Sequence, residues 1–237
     1  MVTKQFIDAL KKQDIQLNER QLEQFERYYH ILVEGNKRIN LTAITDREGV
    51  YIKHFYDSLT PSFYDDFTRY KNLCDVGAGA GFPSIPLKIC YPHIKVTIID
   101  SLKKRIDFLT SLVEDLQLEN VELLHGRAED IGQDRSYREG FDLVTARAVA
   151  RLNVLAEYCL PLCRVGGNFI AMKGSAIDEE LQDGKRAIGQ LGGKLIKQES
   201  LHLPKEEGER SLLWVEKVKK TPKTFPRKAG TPQKRPL

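Results

Sequence analysis

The chain has 237 residues, 41% hydrophobic and 30% charged, with 17 Gly and 10 Pro. That is ordinary globular composition, long enough to bury a full core without disulfides or metals, and it excludes a collagen-like, mucin-like or wholly disordered chain. The net charge of +4 is uneven: residues 219–235 carry seven basic groups (Lys219, Lys220, Lys223, Arg227, Lys228, Lys234, Arg235) and no acid, leaving 30 basic against 33 acidic residues elsewhere. A near-neutral body with a basic tail points to a polyanionic partner reached by the tail.

No stretch approaches the roughly 20 apolar residues needed to cross a bilayer, and the start, MVTKQFIDALKKQ, lacks the apolar run of a secretion signal. The four cysteines (74, 90, 159, 163) contain no CxxC pair. Cys159 and Cys163, four apart, read as small core hydrophobes on one helix face, because a metal site needs two more soft ligands nearby. The expectation is a cytoplasmic, reduced, monomeric protein with no metal and no membrane contact.

Residues 1–70 read as a helical N-terminal cap. Asn18 and Gln21 form a capping box ahead of Leu22, Phe25, Tyr29, Leu32 and Val33 at helical spacing. Thr45 and Glu48 form a second, opening a helix over 46–57. From residue 71 the pattern changes. NLCDV (72–76), KVTIID (95–100), VELLH (121–125), FDLVTA (141–146) and NFIAMK (168–173) are short apolar runs, read as strands buried on both faces. Helical patterns lie between them, most clearly Leu102, Ile106, Leu109, Val113 and Leu116 with Ser101 as N-cap. Such alternation predicts an α/β domain, residues 71–219, with a parallel sheet covered on both sides. GGKLIKQESLHL (192–203) and SLLWVEKV (211–218) have no room for a crossover helix and should pair antiparallel. Residues 220–237 hold four Pro, show no core-forming pattern, and are expected to be mobile unless bound.

The strongest local pattern is DVGAGAGFPSIP, Asp75 to Pro86, directly after the first strand. Gly77, Gly79 and Gly81 permit a sharp turn and close ligand approach; Pro83 and Pro86 fall where a first helical turn tolerates a missing N–H. The spacing is G-x-G-x-G behind an acid, unlike the G-x-G-x-x-G of a dinucleotide pyrophosphate site. An acid there repels phosphate and suits a cationic ligand such as S-adenosylmethionine. Asp100, 23 residues after Gly77, ends the second strand where a carboxylate can accept ribose hydroxyls, and RAED (127–130) follows the third strand where adenine partners are needed. Three such features at successive strand ends predict an S-adenosylmethionine pocket. TARAVARL (145–152) follows the fourth strand, on the acceptor side, with Arg147 as its polar group. It contains neither an Asn/Asp-Pro-Pro-aromatic motif for gripping an exocyclic amine nor a Cys to attack a pyrimidine.

INLTAI (39–44), KHFYDSL (53–59), DVGAGAGFPSIP (75–86), DSLKKR (100–105), RAED (127–130), TARAVARL (145–152) and FPRKAGTP (225–232) together resemble the bacterial 16S ribosomal RNA guanine-N7 methyltransferase family RsmG, also called glucose-inhibited division protein B. The resemblance covers nearly the whole chain. Its one noted departure is Ser84, where many members have Gly; the three turn glycines remain. It implies a Rossmann-like class I methyltransferase fold, a mostly parallel seven-stranded sheet, and methyl transfer from S-adenosylmethionine to N7 of one guanine of 16S rRNA. By position, Gly77 and Phe82 contact the cofactor, Ala128 and Glu129 lie at adenine and Arg147 borders the cofactor; Gly79 belongs to the same loop, and Asp100 is added from spacing.

Guanine N7 carries a lone pair and no proton, so no general base is needed, and no catalytic residue is assigned. His54 and Asp57, three apart on a helix, read as a hydrogen-bonded contact between cap and sheet. The basic tail, with Lys173 and Arg147 near the pocket, is expected to contact RNA phosphates. The alternatives are a methyltransferase for a protein or small-molecule acceptor and a non-catalytic RNA-binding module on the same fold.

Overall fold

The alternation from residue 72 onward closes into one seven-stranded sheet in the computed structural model, which describes residues 2–175, 177–206 and 208–237. The strands are β1 (Asn72–Val76), β2 (Lys95–Asp100), β3 (Val121–His125), β4 (Phe141–Arg147), β5 (Cys163–Lys173), β6 (Gly193–His202) and β7 (Glu209–Lys217), in the order β3-β2-β1-β4-β5-β7-β6. The first five are parallel; β7 runs antiparallel between β5 and β6. The order reverses at β1/β4, which places a crevice at the carboxyl ends of those strands.

Strand periodicity sends successive side chains to two separate cores. Leu73, Val96 and Ile98 face one core, whereas Cys74, Val76 and Ile99 face the other. The first core is shared with the N-terminal helices α1 (Val2–Lys11) and α2 (Glu19–Ile39), and with α5 (Ser84–Cys90) and α6 (Lys103–Asp115). A second helical stretch of the cap comprises α3 (Arg47–Gly49), a π-helical segment (Val50–Tyr56) and α4 (Asp57–Leu59). The opposite core lies under α8 (Leu152–Cys159) and α9 (Asp178–Gln190), with α7 (Ala128–Ile131) at its margin. β3 is the edge of the parallel half, so its residues are half-buried or exposed rather than buried on both faces. Among the described residues no helix is long and apolar enough to cross a membrane.

Local chemistry explains the differences from the expected elements. The Asn18–Gln21 capping box forms, with both hydrogen bonds at 2.9 Å. The second cap moves one residue: Asp46, not Thr45, accepts from the Gly49 N–H at 2.7 Å, a carboxylate being at least as good a cap as a hydroxyl. Ser101 does not cap α6. Leu102 stands at the N-cap with no side-chain cap, and its own N–H donates to Asp100 Oδ1 at 2.9 Å. Cys159 and Cys163 are both buried in the core, but they close α8 and open β5 and so share no helix.

The tail departs most from expectation. Residues 220–237 are docked, not left as a free arm. Arg138 donates to the carbonyls of Thr221, Pro222 and Phe225, and Gln133 to that of Pro226. Arg227 pairs with the wholly buried Glu157, and a short helix, α10 (Thr231–Lys234), carries the buried Pro232. Polar side chains of the body satisfy backbone groups that this Pro-rich segment does not satisfy with its own few turns.

This docking begins at Lys217, whose ammonium is wholly buried and donates to the Leu160 and Cys163 carbonyls and to Thr221 Oγ1. Lys217→Met leaves those acceptors unpaired and is expected to destabilise the chain by about 3 kcal/mol in a urea titration.

Candidate active site

The loop from β1 into α5 is shaped by glycine at two points. Gly77 has φ +74° and its N–H donates to the Ile99 carbonyl at 2.7 Å, while a Cβ there would lie 2.8 Å from Val149 Cγ2. Gly79 has φ +62° and faces open space, since a Cβ there meets nothing within 4 Å. Asp75, beneath the loop, is fully buried. Its Oδ2 accepts from the Ser84 N–H at 3.1 Å and its Oδ1 has no hydrogen-bond partner. Burial pushes its carboxyl up to about 7, with Ser84 offsetting part of the effect.

Asp100 meets the loop from the neighbouring strand. Its carboxylate accepts from the N–H groups of Gly79 (3.2 Å) and Leu102 and pairs with Arg105 at 3.4 Å. Ala128 and Glu129, in the α7 turn after β3, are both buried. Together with Gly77, Gly126, Val149 and Tyr158 they line a cavity of about 80 Å³ at the strand ends. The Glu129 carboxylate accepts from the backbone N–H of Gly230 in the tail at 2.8 Å.

Phe82 and Arg147 lie toward the cap. The Phe82 ring is buried, stacked on His54 (centroids 4.6 Å apart) and on Tyr28 (5.4 Å), with the Arg147 guanidinium 4.9 Å from its centre. Arg147 donates to Asp57 Oδ2 at 2.8 Å, and Arg210 from β7 donates to Asp57 Oδ1 at 2.9 Å. His54, Asp57, Arg147 and Arg210, with Lys53, Met172 and Lys173, border a second cavity of about 390 Å³. A larger groove of about 670 Å³ between α2 and α6 touches none of these strand-end residues.

The structure therefore brings Gly77, Gly79, Asp100, Ala128 and Glu129 to one side of the loop and Phe82 and Arg147 to the other. His54 and Asp57 join cap to sheet. Lys173 is committed to the Ala150 carbonyl at 2.8 Å and Glu180 at 2.9 Å, and Arg147 to Asp57. Neither is free for a phosphate, whereas Lys219, Lys220, Lys223, Lys228, Lys234 and Arg235 of the tail are exposed. Sequence reasoning missed Tyr28 and Arg210. Tyr28, whose hydroxyl donates to the Ala80 carbonyl at 2.6 Å, sits one position from Tyr29 in the apolar stripe. Arg210 lies in a strand whose sequence carries no trace of its distant partner. Among the described residues no group of three or more His, Cys, Asp or Glu is placed to hold a metal ion.

Burial, and next the Arg147 charge, push the His54 imidazolium down from 6.5 to about 3. The unfolded chain therefore takes up this proton first, and the penalty to folding grows as pH falls from about 6.5 to about 3. In urea titrations from pH 7 to about 4.5, His54→Gln is expected to lose less stability than the parent over that window.

A family model described as rRNA small subunit methyltransferase G matches residues 21–212. Proteins named ribosomal RNA small subunit methyltransferase G from Exiguobacterium sibiricum and Geobacillus thermodenitrificans are 57% and 56% identical, each over 237 residues covering 100% of both chains. Among solved structures, an O-methyltransferase from Bacillus cereus in complex with SAH aligns with TM-score 0.56 at 18% identity over 80% of this chain and 90% of that one. M. jannaschii TYW2 in complex with AdoMet aligns with TM-score 0.55 at 18% identity over 74% and 80%. These two likenesses speak to the fold.

Proposed function

The chain belongs to the rRNA small subunit methyltransferase G family and is an rRNA methyltransferase, and we propose that it transfers the methyl group of S-adenosylmethionine to N7 of one guanine in 16S rRNA, acting in the cytoplasm as a monomer. The observation that carries the donor assignment is Asp75. A buried carboxylate with one unpartnered oxygen, below a glycine loop open at Gly79, fits a ligand bearing an ammonium and repels one bearing phosphate.

When bound, S-adenosylmethionine supplies an electrophilic methyl group on a sulfonium. Gly77 and Gly79 would let the ligand approach the backbone closely, and the buried Asp75 beneath the loop would attract its ammonium. Asp100 offers the ribose hydroxyls a carboxylate already oriented by Gly79, Leu102 and Arg105. Ala128 and Glu129 border adenine. Arg147, its guanidinium over the Phe82 ring, borders the 390 Å³ cavity, which we assign to the acceptor base. N7 attacks through a lone pair, so the residues here orient and exclude water and no side chain moves a proton. His54, held neutral, adds no charge beside the arginines. The exposed cations of the docked tail give phosphate affinity and salt dependence, not base choice.

Small-subunit RNA from cells lacking the enzyme, naked and in particles, tests the acceptor with labelled S-adenosylmethionine and chemical cleavage at 7-methylguanine. Label at one guanine N7 is the expected result; label at another atom, or none despite cofactor binding, overturns it. A second test uses Asp75. Only its ionised form pairs with an ammonium, so S-adenosylhomocysteine affinity is expected to rise from pH 6 to pH 8 through the value of about 7. Asp75→Asn should abolish that rise and weaken binding by about tenfold at pH 8, as calorimetry would read.

A further inference from the structure

The last residues of the chain run along α8 toward the site. Near the end of that helix the carboxylate of Glu157, wholly buried, accepts from the Arg227 backbone N–H at 2.8 Å, from Nε at 2.9 Å and from Nη2 at 2.6 Å. Near its start, Asn153 Nδ2 donates to the Leu237 oxygen at 3.0 Å. Between these anchors the Gly230 N–H meets Glu129, itself only 3% exposed, and the Gln133 side chain donates to the Pro226 carbonyl at 2.7 Å. The α7 turn is thus held at Glu129 and again just past its end.

Besides these contacts, the turn is held by Ala128 and Ile131 against the second core and by its own backbone hydrogen bonds. It is four residues long, far below the length at which a helix is stable alone, and it follows β3, a half-exposed edge strand. Yet its Ala128 and Glu129 line the 80 Å³ cavity. We infer that residues 225–237 are a positioning element of the cofactor site: Arg227 fixes the segment on Glu157, Gly230 fixes Glu129, and the adenine-side wall takes its place from them. Cofactor affinity then depends on a part of the chain that does not line the cavity. The inference rests on the assignment of that cavity to the cofactor.

The test is the full-length Arg227→Glu variant. A second carboxylate against buried Glu157 cannot be accommodated and expels the segment. S-adenosylhomocysteine binding is measured by calorimetry without RNA, and release of the segment by hydrogen exchange at the Gly230 amide. Affinity is expected to fall about tenfold, with KM for S-adenosylmethionine rising equally and kcat within about twofold of the parent. Free exchange at Gly230 with affinity within about twofold of the parent overturns the inference. Should Arg227→Glu not fold, a chain ending at Lys223 replaces it; recovery of affinity by an added peptide of residues 224–237 supports the inference, and parental affinity without the peptide overturns it. Failure of the parent itself to bind S-adenosylhomocysteine counts against the donor assignment instead.

Discussion

The Asp57 carboxylate, buried between two guanidinium groups, holds the site in register. Arg147 ends β4 and Arg210 opens β7, and β5 lies between those strands. The two arginines reach the same edge only because β7 runs antiparallel, which brings its first residues level with the last of β5. Asp57 comes down from the cap onto both. Two cations so close would repel without it, and a buried carboxylate would not be tolerated without them. With the shared apolar core, this contact fixes the cap on the sheet, the Arg147 guanidinium over Phe82 and His54 stacked on the same ring.

Dryness is the second property of the site. Asp75 and His54 are displaced in opposite directions, one up and the other down, and in each burial is the largest cause. Burial favours the neutral form of each. For the proposed transfer to guanine N7, where positive charge passes from sulfur to the purine, such surroundings supply alignment and exclude water. They supply no acid or base, in keeping with the chemistry of an acceptor nitrogen that has no proton to lose.

Much of the scaffold was legible in the residues. Short continuous apolar runs separated by helical patterns specify the parallel half of the sheet, and the short charged turn before β7 leaves antiparallel pairing as the only connection. The Asp75–Pro86 loop announced its own turn. Caps were harder: the cap expected at Thr45 falls one residue on at Asp46, and the one expected at Ser101 falls at Leu102, which has no side-chain acceptor. The tail was misjudged for a clear reason. Hydrophobic periodicity measures what a segment buries by itself, whereas residues 220–237 are held by Arg138, Gln133, Glu129 and Glu157 from other parts of the chain.

Sequence alone determined the order of strands and helices, the glycine loop with its acid, and the strand ends at which Asp100, Glu129 and Arg147 stand, because each depends on neighbours within a few residues. Only the tertiary structure decided the partners of those side chains. Asp57 with Arg147 and Arg210, Glu129 with Gly230, and Glu157 with Arg227 join residues 70 to 153 positions apart. Such pairs exist only once the sheet has set its order and β7 its direction, and no local pattern along the chain encodes them.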